Sequence, residues 1–475
     1  MKKIKSVSGG CSLSNMFGYS FGECANSLVM NSINGFAMLY YTEALGLSPA
    51  LAGIAMSIAV FWDALSDPIM GHISDNTRSR FGRRHPYMLV GGLLMALSFY
   101  FIWAVPGAVQ ESATAVFWYL VIFNLLLRTA LTVFFVPYVA LGFEMCTDYE
   151  GRSKLQGIRW GFNMAANLAG PAMAWQFFFR DEGAIRATDV PANFLNMGTV
   201  FAVATALLVL LVIARTSHYA TDNRSVSASQ AGGAMMGTFF RDMKEVLLDP
   251  YARRVFIFVF LAAVNMVLVS SLQMYVYVYF MDFSASLKSV AHGATMVGCG
   301  VGGLLSAGLA HRFDKKGAVF AGGSMSIASN AILALVFLTG ILPVDTPLGI
   351  GVFVAFHTLY WLGSGIMLPT SIAMMADISE INKIRTGLLK DGAYSAVFSF
   401  ILKAAISFSM LVSGYILSGI GFESDRAGEL GADVIWRLGA VMLLVGPVVC
   451  AAAIAVMRKY RVTGALIEEM RDATV

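Results

Sequence analysis

The stretch FWDALSDPIMG, Phe61 to Gly71, places two carboxylates, Asp63 and Asp67, one helical turn apart. They sit inside an apolar run, Ala50 to about Ser74, that carries no other charge and is long enough to cross a bilayer. A carboxylate in hydrocarbon costs several kcal/mol unless it is paired, hydrated or neutralised. At i and i+4 the two side chains point to one face of a helix. One reading is a buried polar bracket between helices. The other is a site for a monovalent cation or a proton, shared by two acceptors, and the spacing favours it.

The rest of the chain has the same character. Of 475 residues, 57% are hydrophobic and 13% charged, against about 25% charged in soluble domains. Apolar windows recur at about 17–41, 50–74, 87–105, 115–145, 158–178, 193–214, 254–281, 287–310, 318–341, 348–376, 392–420 and 434–457. They predict an all-α integral membrane protein with twelve transmembrane helices. Positive charge gathers after every second span, as in Arg78, Arg80, Arg83 and Arg84, or His311, Arg312, Lys315 and Lys316. By the positive-inside rule those connections and both termini are cytoplasmic. The polar start, Met1 to Asn15, argues against a cleavable signal. Cys11, Cys24, Cys146, Cys299 and Cys450 show no paired spacing and read as inert residues. The net charge of +4 reflects loop lysines and arginines and suggests no nucleic-acid partner.

The connection at 216–252 is Ser-, Asp- and Gly-rich, then turns amphipathic in TFFRDMKEVLLDP. It divides the chain into a six-helix bundle at 1–215, a cytoplasmic linker with an interfacial helix at 216–252, a second bundle at 253–457 and a cytoplasmic tail at 458–475. Gly71 to Arg84 and Gly308 to Gly317 are basic turns at equivalent places in the two halves. This is the layout of the major facilitator fold.

The stretch from Phe61 to Gly91, FWDALSDPIMGHISDNTRSRFGRRHPYMLVG, resembles the glycoside–pentoside–hexuronide:cation symporters, the family of the melibiose permease. YYTEALGLS (40–48), VPYVALG (136–142), GRSKLQGIRW (151–160), MMADISE (374–380) and GAYSAVFSFILK (392–403) extend the resemblance over nearly the whole chain. Animal sodium-dependent lysolipid symporters look like a distant branch of the same family. The resemblance implies a cation site at Asp63 and Asp67, holding Na⁺ if the carrier is sodium-coupled, with Ser66 and Thr132 as further oxygen ligands. It places Arg159, Lys403 and Asn26 beside the substrate. The coupling ion, Na⁺ or H⁺, is then the sole cofactor-like species. The expected setting is a monomer in the bacterial inner membrane.

Departures from the family pattern bear on the substrate. The two carboxylates that hold a galactoside in the permease align with Ser27 and Phe135, and its sugar-stacking tryptophan aligns with Val139. Bidentate carboxylate–hydroxyl bonds and an aromatic platform are absent at those positions, which argues against galactosides. Arg128 lies on one face with Thr132 and Phe135. It either pairs with Asp63 or Asp67 or meets an anionic substrate. Glu23, Ser27, Asn31 and Asn34 form a polar stripe on the first span, with Asn26 nearby, and read as a cavity wall. In the second half Asn265, Gln273, Tyr275, Tyr277, His357, Tyr360 and Trp361 are candidates to line the same cavity.

Asp75, Arg78, Arg83, Arg84, Glu144, Asp377 and Glu380, at the basic turns and facing helix ends, are expected to form gating salt bridges. Gly18 to Gly22 fits G-x-S-x-G and Gly298 to Gly303 fits G-x-G-x-x-G, but both lie in apolar spans without the strand each motif needs. The chain offers no enzyme chemistry. It reads as a Na⁺- or H⁺-coupled symporter of a glycoside-like solute, neutral or anionic, working by alternating access between the halves. The alternatives are a carrier of an amphipathic, lysolipid-like anion and a non-transporting membrane sensor of the same fold.

Overall fold

The computed structural model describes residues 12–77, 79, 81–146, 149–179, 186–219, 241, 243–386, 391–422, 430–463, 466 and 469–470. Among them every regular element is helical. Helix α1 (Leu13–Ser32) starts at Ser12, whose hydroxyl accepts the Asn15 N–H, and continues through π-turns at Ile33–Ala37 and Tyr40–Ala44. Then follow α2 (Pro49–Asn76), α3 (His85–Trp103), α4 (Ala113–Met145), α5 (Tyr149–Met173) and α6 (Pro191–Thr216). After the linker come α7 (Pro250–Tyr275), α8 (Ala285–Leu338), α9 (Pro347–Thr386), α10 (Asp391–Gly419) and α11 (Ala432–Met457).

Each expected span falls on one of these helices, and α8 takes two. Its 54 residues would measure roughly 80 Å if straight, far beyond a hydrocarbon core of about 30 Å. The chain breaks at Asp314, in the left-handed region at φ 61°, where its carboxylate accepts the Lys315 N–H at 2.6 Å. Nine described helices are long and apolar enough to cross a membrane. Helices α1 and α5 are not among those nine. They are the two that carry matching stripes of polar residues, and the function of those stripes dilutes their apolarity.

The chain packs as two compact units, Met1–Ala37 with Leu65–Ala228, and Met38–Ala64 with Ser229–Val475. Residues 38–64 pack with the C-terminal helices. The Thr42 and Tyr275 hydroxyls meet at 2.7 Å, Ser57 and Ser407 at 3.0 Å, and the Ala50 N–H donates to the Ser418 hydroxyl at 3.2 Å. Between these contacts the backbones touch: a Cβ on Gly53 would lie 2.7 Å from the Met410 carbonyl and 3.0 Å from the Gly414 Cα. Only glycine fits that crossing.

Pro68, inside α2, has no N–H to offer the Ala64 carbonyl, so the helical ladder is interrupted there. In the first unit α1 and α4 are pinned by Tyr19 and Tyr138, whose rings stack at 4.3 Å. Each hydroxyl donates to the other residue's carbonyl.

Candidate functional site

In the first unit, α1 and α5 face each other along matched stripes at four-residue spacing. Arg159 Nε lies 2.5 Å from Glu23 Oε1, with the carboxylate side chain only 5% exposed. One turn on, Asn163 donates to the Ser27 hydroxyl at 2.8 Å. The next turn joins Asn31 to the Asn167 carbonyl oxygen at 2.5 Å, and Asn167 donates back to Asn163 at 3.1 Å. The result is a ladder of three rungs, one charged and two neutral. Its net charge is zero because guanidinium and carboxylate cancel.

Also in the first unit, Thr132 of α4 donates to Asp67 Oδ1 at 2.9 Å. The Ser66 hydroxyl lies 3.1 Å from the Thr132 oxygen. Since Thr132 spends its proton on Asp67, Ser66 is the donor in that second bond. Carboxylate and hydroxyls thus form a donor set of oxygens only. Such a set suits a hard cation and not a thiophilic metal. Phe135 lies beside Tyr138, ring centroids 5.9 Å apart. Arg128 is buried, with Nη1 3.6 Å from the Met30 sulfur.

In the second unit Asp63 is 4% exposed and receives Lys403 of α10: Nζ lies 3.1 Å from Oδ2 and 3.2 Å from the Asp63 carbonyl oxygen. An ammonium is a tethered monovalent cation. It rests on two oxygens of Asp63, one from the carboxylate and one from the backbone.

The residues expected to gate also find partners. Glu144 Oε1 receives Arg83 Nη2 at 2.6 Å and Arg84 Nε at 3.0 Å, and Arg84 Nη1 donates to the Ser74 hydroxyl. Lys315 meets Asp377 at 2.5 Å. Both groups lie inside one unit, so each ties helix ends within its own bundle. Glu380 lines a cavity of about 550 Å³ with Lys383, Met375, Tyr394 and Phe398. Arg78 and the Asp75 side chain lie outside the described residues.

The sequence profile of the MFS/sugar transport protein family matches residues 18–464. The chain belongs to that family. It is a multi-pass membrane transporter and not an enzyme. Among its relatives is the putative glycoside/cation symporter YagG of Escherichia coli strain K12, 24% identical over 471 residues. That match covers 96% of this chain and 93% of the relative. The sodium-dependent lysophosphatidylcholine symporter 1-A of Danio rerio is 22% identical over 430 residues, covering 86% and 78%. The fold is that of the nucleoside transporter NupG (TM-score 0.64, 12% identity, 93% of this chain and 99% of that one). The D-xylose-proton symporter shares it too (TM-score 0.58, 15% identity, 91% and 95%).

Within the family's frame, several site residues named from sequence sit together. Asp67 joins Ser66 and Thr132, Glu23 joins Arg159, and Asp63 joins Lys403. Asn26 is half-buried on α1. Asn163 and Asn167 were missed, although with Arg159 they repeat the four-residue spacing that marked α1. The second-half candidates for cavity lining turn out differently. Asn265, Gln273, Tyr275, Tyr277, His357, Tyr360 and Trp361 are all at most 4% exposed. Gln273, His357 and Trp361 bond to one another, so they brace the helix bundle.

Proposed function

We propose that the protein is a cation-coupled symporter in which Asp63 and Asp67 hold the coupling ion. The observation that carries this reading is the pair of environments on α2. Asp63 already accepts a monovalent cation in the form of Lys403, and Asp67 stands in an all-oxygen cluster with Ser66 and Thr132. Na⁺ fits that oxygen set, and a proton on Asp67 is the competing ion. Ion binding displaces or offsets the Lys403 ammonium, and the resulting shift in population couples the ion to substrate. Twelve spans, two six-helix bundles divided at 216–252, cytoplasmic termini, a monomer and residence in the bacterial inner membrane complete the reading.

The substrate is a small polyhydroxylated, glycoside-like solute. Support comes from the α1–α5 ladder, whose amides, hydroxyl and neutralised ion pair offer several hydrogen bonds without net charge. Arg128 and the likeness to the Danio rerio symporter favour a second reading, an amphipathic anion of lysolipid type.

Thermal unfolding in detergent tests both, since a ligand that binds only the folded state raises the midpoint. Na⁺ against choline should raise it in the wild type and not in Asp67→Asn. A shift on acidification alone would assign the ion as H⁺. Glycosides and lysolipids added on top of the ion then separate the two substrate classes. Counterflow in proteoliposomes should show exchange of the solute, and binding without exchange would overturn transport in favour of a sensor.

A further inference from the structure

Near the α7–α8 connection four buried side chains from three helices meet on one amide. Gln273 Oε1 lies 3.1 Å from Trp361 Nε1 and 3.1 Å from His357 Nε2, and Gln273 Nε2 lies 3.1 Å from His292 Nδ1. The indole N–H can only donate, and its shorter contact is the amide at 3.1 Å, against 3.4 Å to His357 Nε2, so the amide atom facing it is the oxygen. That fixes the rest. The other amide atom is the NH₂ group, so His292 Nδ1 must be a bare acceptor and its proton sits on Nε2. His357 shares the amide oxygen with the indole, so its Nε2 carries the proton and its Nδ1 is bare. One indole therefore dictates both histidine tautomers.

We propose that Gln273, His292, His357 and Trp361 form a pH-sensitive latch, closed only while both imidazoles are neutral. A second proton on His292 would enter at Nδ1, donor against the donor NH₂ of Gln273. Turning the amide over cures that clash but sets the NH₂ 3.1 Å from the Trp361 N–H, and forces His357 to give up its Nε2 proton. A second proton on His357 would enter at Nδ1, which has no hydrogen-bond partner among the described residues; His292 Nε2 has none either. His292 is 8% and His357 1% exposed, so a charge there would lie in a dry interior.

The surrounding groups supply no counter-charge. Tyr360 stacks on His357 at 5.9 Å, Tyr277 meets it edge-on at 6.2 Å, and Phe353 lies at 5.3 Å. On α8 itself, Lys288 stands one turn before His292 and Cys299 two turns after it. On α7, the Tyr275 hydroxyl meets that of Thr42, and the buried Glu43 follows Thr42 in the chain. On α11, packed against both α7 and α8, Asp433 and Arg437 pair with each other.

Opening the latch hydrates both rings, and each then titrates near the ordinary value of about 6.5. Stability of the closed form is therefore full above that value and lost as pH falls through it. On the proposed topology this end faces the outer medium, so external acid would loosen α7, α8 and α9 there. The latch itself does not depend on which solute or ion the carrier moves.

The test uses the full chain in detergent. Nitrogen-15 NMR of the six histidines, assigned by single His→Gln variants, should show His292 and His357 both protonated at Nε2 at neutral to basic pH. An Nδ1–H form of either ring overturns the network. Hydrogen exchange of residues 270–295, corrected for the chemical step, should report the open-to-closed ratio. Each ring that titrates only when open raises it about tenfold from about pH 7.5 to about pH 5.5. Wild type should thus rise about a hundredfold, His292→Gln about tenfold, and the double His292→Gln/His357→Gln variant not at all. Glutamine at 292 keeps an acceptor for Gln273, so the fold is retained. A flat wild type, or an undiminished response in His292→Gln, overturns the proposal, and the NMR readout needs no variant to fold for its main result.

Discussion

The polar interiors of the two units differ in kind. In the first, full charges are buried or half-buried and answered: Glu23 by Arg159, and the half-buried Asp67 by the Thr132 hydroxyl. In the second, apart from Asp63 with Lys403 and the buried Glu43, the polar core around Gln273 is a neutral assembly of amide, imidazole and indole. Charge in a dry interior is costly and changes state when an ion or solute arrives. Neutral networks are costly only when broken, and they brace. Under the proposed function, ion and solute handling falls chiefly to the α1, α2, α4 and α5 faces, and bracing to α7, α8 and α9.

The sharpest way to break this comparison is to remove charge from α2. Asp67→Asn should abolish ion dependence of solute flux while leaving the folded protein intact in size-exclusion profiles. Retained wild-type ion dependence would remove the functional asymmetry. Next comes the ladder. Arg159→Met or Glu23→Gln alone strands a partly buried charge and should cost about 3 kcal/mol of stability, while the double variant recovers most of it. Chemical unfolding through a double-mutant cycle measures the difference, and additive losses would show that the rung is not a coupled pair.

In the second unit Gly414→Val should overpack the crossing with Gly53, costing about 1–3 kcal/mol and slowing turnover measured by counterflow. Unchanged turnover would mean that this crossing never has to close. A smaller loss, about 1 kcal/mol with flux retained, is expected from Gln273→Leu, which takes the shared partner from two imidazoles and leaves Trp361 only its longer contact to His357. The smallest effect belongs to Arg83→Ala, since the pair is part-exposed and Arg84 remains on Glu144. A midpoint shift within about 0.5 kcal/mol is expected there.

Much of this was legible in the sequence because membranes enforce strong patterns. Apolar windows located the helices, and the i, i+4 acids located Asp63 and Asp67. The Arg159 position came from family resemblance. What escaped was pairing. Nothing in the spacing of α1 says that Glu23 meets Arg159 and not solute, and Asn163 and Asn167 draw no notice until α5 is laid against α1. Trp361 and His357 share a helix face by spacing alone, but their common partner Gln273 lies 84 residues from His357 in the chain. The two spans read at 287–310 and 318–341 are both present in α8, parted at Asp314. Packing of residues 38–64 with the C-terminal helices depends on the Gly53–Gly414 contact, a tertiary fact with no local signal.

The three rungs between α1 and α5 have a consequence for descent. An acid at position 23 without a base at 159, or the reverse, is a bare charge against a largely buried wall. Neither change is readily tolerated first. The two positions should therefore drift as one, exchanged together or not at all. Lineages that move to a new solute should be found altering the neutral rungs, 27 with 163 and 31 with 167, long before they touch the charged one.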